Sequence, residues 1–202
     1  LLNFLPNFSH MLRVKDLICF RGDRALFEAV SFSLNIGDIL QVCGPNGSGK
    51  TTLMRTLVGL YKNYTGCFDW DLPSPPLYLG HRPGINENLT PRENIKWVSE
   101  LNNQHIKSAD IDDAIRQVGL ADSADICCSD LSFGQKKRVA LAPFCLGKNS
   151  LWIMDEPFSG IDGLGITLIE ELFRKRSLWG GPIIFSSHQA IPSGLAVKKL
   201  EL

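Results

Sequence analysis

Two short stretches hold residue types that could do chemistry together. Gly44-Pro45-Asn46-Gly47-Ser48-Gly49-Lys50-Thr51 has the form G-x-x-x-x-G-K-[ST]. In that pattern the glycines let backbone N–H groups turn inward and cradle a β-phosphate. Lys50 supplies a point charge to the β- and γ-phosphates, and the Thr51 hydroxyl is placed to ligate Mg²⁺. Asp155 and Glu156, the second stretch, follow the apolar run Leu151-Trp152-Ile153-Met154. One carboxylate suits a Mg²⁺ ligand, directly or through water, and the next suits a general base that polarises an attacking water. Together the two stretches describe hydrolysis of a nucleoside triphosphate.

Both need elements to hold them. Ile39-Leu40-Gln41-Val42-Cys43 reads as a buried strand ahead of the phosphate loop. A helix over 51–61 follows and points its positive N-terminal dipole at the phosphates. The run 151–154 fits a strand of a parallel sheet covered on both faces, where ligands bind outside the carboxyl ends. Residues 11–43 hold antiparallel strands and the first central strand. Residues 86–130 read as helical, with Thr90-Pro91-Arg92-Glu93 a capping box that opens a helix to about Leu101. A second helix covers about 109–118, with Gly119 as its stop. A third covers 163–178, with Leu164, Leu168, Leu172 and Phe173 on one face. Residues 182–187 and 197–202 are strands.

Leu131-Ser132-Phe133-Gly134-Gln135 precedes the basic run Lys136-Lys137-Arg138. A Ser hydroxyl, a Gly N–H and a helix N-terminus form an anion site; alone, the stretch is equally an N-capped helix with a solvated basic face. The order of phosphate loop, LSFGQ, strand-Asp-Glu and a later His resembles the ATP-binding cassette (ABC) family, over roughly residues 11–202. The resemblance implies an α/β P-loop NTPase fold: an ABC-type nucleotide-binding domain with a RecA-like core, a helical signature subdomain (about 86–146) and a small antiparallel β region. It implies ATP and Mg²⁺ as cofactors, with Gly44 to Thr52 on the nucleotide, Thr51 and Asp155 on the metal, and Lys50, Glu156 and His188 as catalytic residues. It implies that Ser132, Phe133, Gly134 and Gln135 act in trans, completing the site of a second copy in a homodimer. Asp162, in Ser159-Gly160-Ile161-Asp162, falls in the loop where two cassettes meet, and Phe20 in the place of an aromatic that stacks on adenine.

His81, in Gly80-His81-Arg82-Pro83-Gly84, stands where most cassettes carry a Gln that reports nucleotide state to the membrane subunit. That sequence, with 89–94, 151–158 and 187–189, resembles the haem-exporter branch used in cytochrome c maturation. The branch implies CcmB/CcmC-like integral membrane permease subunits as partners, a haem chaperone indirectly, no nucleic acid, and a peripheral place on the cytoplasmic face of the bacterial inner membrane. The rival readings are the ATPase of another exporter (lipid, drug or peptide), and a soluble ABC ATPase acting on DNA or ribosomes. The stretch from Lys50 to Ser132 has no room for the coiled-coil arm of the latter and no heptad run. The chain departs from the family pattern at Phe133, where Gly is usual, and at Pro143, which predicts a kink or early helix end.

The whole chain sets bounds. Its 202 residues fit one domain with a sizeable core. The 21 basic and 21 acidic residues leave no overall basic field for nucleic acid. No apolar run reaches the ~18 residues that span a bilayer. Six scattered cysteines without C-x-x-C spacing suggest reduced thiols, Cys127-Cys128 included. Residues 1–10 read as foreign to the domain, a leader or tag remnant.

Overall fold

The computed structural model describes residues 11–72, 74–101, 106–146, 151–187 and 195–202. Residues 1–10 and His188 lie outside these, so the expectations for them stay untested.

Five strands form a parallel sheet in the order β6 (Leu77–Leu79), β7 (Trp152–Met154), β8 (Ile183–Ser186), β4 (Ile39–Cys43) and β9 (Val197–Glu201). Alternation along each central strand divides its side chains between two cores. Leu40, Val42, Ile153 and Ile184 face one core, shared with α1 (Lys50–Leu57) and a smaller antiparallel sheet. Ile39, Trp152, Met154, Ile183 and Phe185 face the other, shared with α4 (Phe133–Leu146) and α5 (Gly163–Leu178). The antiparallel sheet is built on β1 (Leu12–Arg21), which pairs with β2 (Arg24–Ala25), β3 (Val30–Leu34) and β5 (Tyr64–Trp70).

A third cluster joins α2 (Pro91–Leu101), α3 (Ser108–Gln117) and α4 through Ile95, Ile111, Ile115, Val139 and Ala142. The expected capping box opens α2: Thr90 N–H donates to Glu93 Oε2 at 2.9 Å and Glu93 N–H to Thr90 Oγ1 at 3.2 Å. Helix α4 serves two cores at once, giving Ala140, Leu141 and Phe144 to the sheet and Val139 and Ala142 to α2 and α3.

Three local expectations need correction. Helix α1 stops at Leu57, short of Tyr61, because Gly59 (φ 77°) turns the chain and Gly59 and Leu60 N–H bond back to Thr56 and Arg55 carbonyls in a Schellman motif. Of the two outcomes expected at Pro143, the early end does not fall at the proline itself, since α4 is helical to Leu146. Burial against two cores outweighs the ~3 kcal/mol that an internal proline costs. Leu164 is 72% exposed, unlike Leu172 and Phe173, because the first turn of α5 is held by its cap rather than by burial.

Candidate functional site

Four neighbouring strands end on one edge of the parallel sheet, and each delivers a piece of the site there. β4 runs into the phosphate loop, β7 into Asp155 and Glu156, β8 into Ser186 and Ser187, and β6 into Gly80 and His81.

The phosphate loop is set by backbone conformation. Gly49, at φ 104°, precedes α1, and a Cβ there would lie 2.6 Å from the Phe27 ring, so only glycine fits. Lys50 is 8% exposed, and its ammonium donates to the carbonyls of Gly44 at 2.8 Å and Pro45 at 3.1 Å. This folds the cation over the loop that it serves.

The carboxylates are placed by side chains. Asp155 is 1% exposed; Thr51 Oγ1 donates to its Oδ2 at 2.7 Å and Ser186 Oγ to its Oδ1 at 2.9 Å. Ser186 Oγ also accepts from the Glu156 amide at 2.9 Å. Glu156 has φ 51°, a left-handed conformation that a non-glycine residue ahead of a proline rarely takes. Such a backbone costs about 1–3 kcal/mol and persists where its surroundings impose it.

A cleft of about 470 Å³ joins these parts, with Asn46, Gly47, Lys50, Thr51 and Thr52 on one wall and Asp155, Glu156 and Ser159 on the other. His81 lines it too, and also lines a second groove of about 630 Å³ between the sheet edge and α2 and α4. Phe20 is not among the residues that line the cleft. Its neighbour Arg21 is, since successive side chains of a strand point to opposite faces.

The signature residues form a reciprocal cap at the start of α4: Ser132 N–H donates to Gln135 Oε1 at 2.8 Å and Gln135 N–H to Ser132 Oγ at 3.2 Å. Phe133 is 57% exposed and lies over Gly160, where a Cβ would meet its ring at 2.6 Å. Asp162 caps α5 through Gly165 N–H at 2.9 Å and sits 3.4 Å from Arg138.

The basic run is not a solvated face. Lys136 pairs with Glu87 at 3.0 Å, while Lys137 and Arg138 are 5% and 7% exposed. Lys137 donates to the Ser159 carbonyl and to the Glu156 carbonyl at 3.4 Å. Burial pushes its pKa down, and the Glu156 and Asp155 charges push it back up. Arg138 donates to the Val118 and Gly119 carbonyls, both at 2.8 Å.

Sequence reasoning missed Ser186, Asn94 and the reach of Lys137 and Arg138. Asn94 is 2% exposed and donates to the carbonyls of Asn86, Leu89 and Thr90, clamping the turn that follows the His81 loop. Ser186 carried a usable signal, a hydroxyl ending an apolar strand beside the carboxylate strand. Asn94 ends the stretch 89–94 that carries part of the resemblance, but nothing in the sequence assigned it a structural role.

A parallel sheet with a glycine loop, lysine and buried carboxylate at its carboxyl edge defines a P-loop nucleotide-binding protein. The model of the ABC transporter family matches residues 27–159. The chain belongs to the ABC transporter family, and is an ATP-binding, ATP-hydrolysing member of it. It is 39% identical over 210 residues to a protein of Pasteurella multocida called "Cytochrome c biogenesis ATP-binding export protein CcmA", covering 97% of this chain and 96% of that one. Proteins of the same name from Saccharophagus degradans (38% over 194 residues, 88% and 87% covered) and Yersinia pestis (41% over 189 residues, 89% and 86% covered) are similar to it. Among solved structures, an ATP-binding subunit of an ABC transporter superposes with TM-score 0.78 at 25% identity, covering 88% of this chain and 79% of that one. An ABC transporter ATP-binding protein from Pyrococcus furiosus superposes at 0.80 and 23%, covering 94% and 96%, a likeness of fold.

Proposed function

We propose that this chain is the ATP-hydrolysing subunit of a membrane export complex that serves cytochrome c maturation, with haem export or release of a haem chaperone as the work driven. The observation that carries the reading is the meeting of Lys50 and Thr51 with Asp155 and Glu156 in one cleft, in a chain 38–41% identical over most of its length to proteins named for cytochrome c biogenesis export.

Thr51 Oγ1 and Asp155 Oδ2, 2.7 Å apart, offer adjoining oxygens of the kind that Mg²⁺ prefers. Among the described residues no cluster of three or more His, Cys, Asp or Glu forms a dedicated cage. That fits an ion whose other ligands are phosphate and water. When bound, Mg²⁺ neutralises charge on the phosphates. Lys50 and the loop amides hold the β- and γ-phosphates. Glu156 orients water and takes its proton. His188 and His81 sense the γ-phosphate, and Asp162 stands where two copies meet. Ser132, Phe133, Gly134 and Gln135 close over the nucleotide of the second copy.

Among the described residues no helix is long and apolar enough to cross a membrane. Attachment to the inner membrane runs through permease subunits of the CcmB/CcmC kind in this reading, as the names of the similar proteins suggest for an ATP-binding export subunit. The second groove, with apolar Leu77, Ile95, Val98 and Phe144 beside Arg55 and Arg82, offers a seat for a permease segment, and His81 connects that seat to the cleft.

The test is capture of the Glu156→Gln chain with ATP from native membranes. Co-purification of haem-handling membrane subunits supports the reading. Co-purification of an unrelated permease leaves the ATPase in place and overturns the cytochrome c assignment.

A further inference from the structure

We infer that Lys137 is a positioning residue for hydrolysis: its buried ammonium holds the Glu156 carbonyl, and so fixes where the Glu156 carboxylate points. The inference rests on the reading of Glu156 as general base.

Lysine is among the residues least often buried, and desolvating its charge is costly unless partners compensate. Here Lys137 is 5% exposed, and the partners that its ammonium reaches are main-chain carbonyls of the loop that follows the carboxylates, those of Glu156 (3.4 Å) and Ser159. The loop needs such a hold. Glu156 and Asp16 are the only non-glycine residues with positive φ among those described. Asp16 lies at a register shift in β1, away from the cleft. Glu156 is gripped from both sides: Ser186 Oγ accepts from its amide at 2.9 Å, and Lys137 donates to its carbonyl. Without the second grip the carbonyl side of Glu156 loses a hold on its ψ, and the side chain turns with any change in the backbone that carries it. Lys137 also belongs to α4, whose first turn carries the signature cap. The direction of the base in one chain is thus tied to the helix that this chain offers to a second copy.

The test uses the full chain with Lys137→Met, which keeps length and apolar contact but removes donor and charge, and Lys137→Arg, which keeps both. ATP turnover, KM and equilibrium ATP binding are measured for each, alone and combined with Glu156→Gln, the slow variants by single-turnover release of labelled phosphate. Expected is a fall in kcat of about 10- to 100-fold for Lys137→Met, the range for a misplaced catalytic group. KM and ATP affinity stay within about twofold, Lys137→Arg recovers most of the rate, and Lys137→Met adds nothing in the Glu156→Gln background, as for residues that act as one unit. The inference is overturned if kcat stays near that of the parent, if KM rises and ATP binding weakens in step with the fall in kcat, or if the two losses multiply. If Lys137→Met does not fold, Lys137→Leu, which also lacks donor and charge, takes its place under the same criteria. Full turnover in Glu156→Gln alone sinks the general-base reading instead, so the two failures are distinct.

Discussion

The two loops that face each other across the cleft are held by opposite means. The phosphate loop is built from its own backbone: positive-φ glycines, a helix N-terminus, and a lysine folded onto carbonyls five and six residues away. The loop from Asp155 to Asp162 is built from elsewhere. Ser186 holds it from β8, and Lys137, Arg138 and Phe133 hold it from α4. The first is a self-contained anion cradle that eight consecutive residues specify. The second takes its shape from neighbours about 20 to 30 positions away in sequence, so it can be moved by whatever moves them.

The contrast predicts different responses to damage. Lys50→Ala removes a cation that the loop cannot replace, so turnover falls at least about 10²-fold with ATP binding lost as well, as when a preorganised charge is deleted; binding measured by a fluorescent nucleotide checks this. Gly49→Ala meets both the Phe27 ring and a φ that alanine does not tolerate, and destabilises by about 3 kcal/mol. Adding Phe27→Ala does not restore it, because the backbone strain remains. Gly160→Ala also meets a ring, that of Phe133, but at φ 63°, which costs alanine less. It destabilises by about 2 kcal/mol, and Phe133→Ala in the same chain recovers roughly half. Equal rescue of both glycines in urea unfolding would erase the distinction between the loops.

The smallest effect lies away from the cleft. Burial pushes the Cys145 thiol up from 9.0 to about 12. The folded chain keeps this proton while the unfolded chain releases it, so the contribution is intact below pH 9 and fades as pH rises toward 12. About 1 kcal/mol is lost by pH 10, and Cys145→Ala flattens that part of the stability–pH curve. A parallel curve would show that the thiol does not stay protonated in the fold.

The same contrast explains what was legible in the sequence. Residues 44–51, the Thr90–Glu93 box and the Ser132–Gln135 cap were readable because each is closed by hydrogen bonds within a few positions. The central strands β4, β7 and β8 were readable because both of their faces are buried, whereas the edge strand β6 was not foreseen. Lys137 and Arg138 were not, because a basic run at a helix start looks the same whether solvent or a carbonyl receives it. Pro143 is a related case: its local cost is legible in the sequence, but the two cores that hold α4 together are not. Leu164 shared its helical face with buried leucines, and only the position of the cap left it outside.

The central claim is that hydrolysis needs the two loops of one chain and the signature of another. The direct measurement mixes two inactive chains, Lys50→Ala and Ser132→Arg, and reads ATP turnover. In a mixed pair, one site joins the intact phosphate loop of the second chain to the intact signature of the first. Recovery of roughly a quarter of the parental rate is therefore expected, from random pairing in a two-fold dimer with one competent site per mixed pair. Turnover that stays at the level of either chain alone would contradict it, and would place the whole reaction within a single copy.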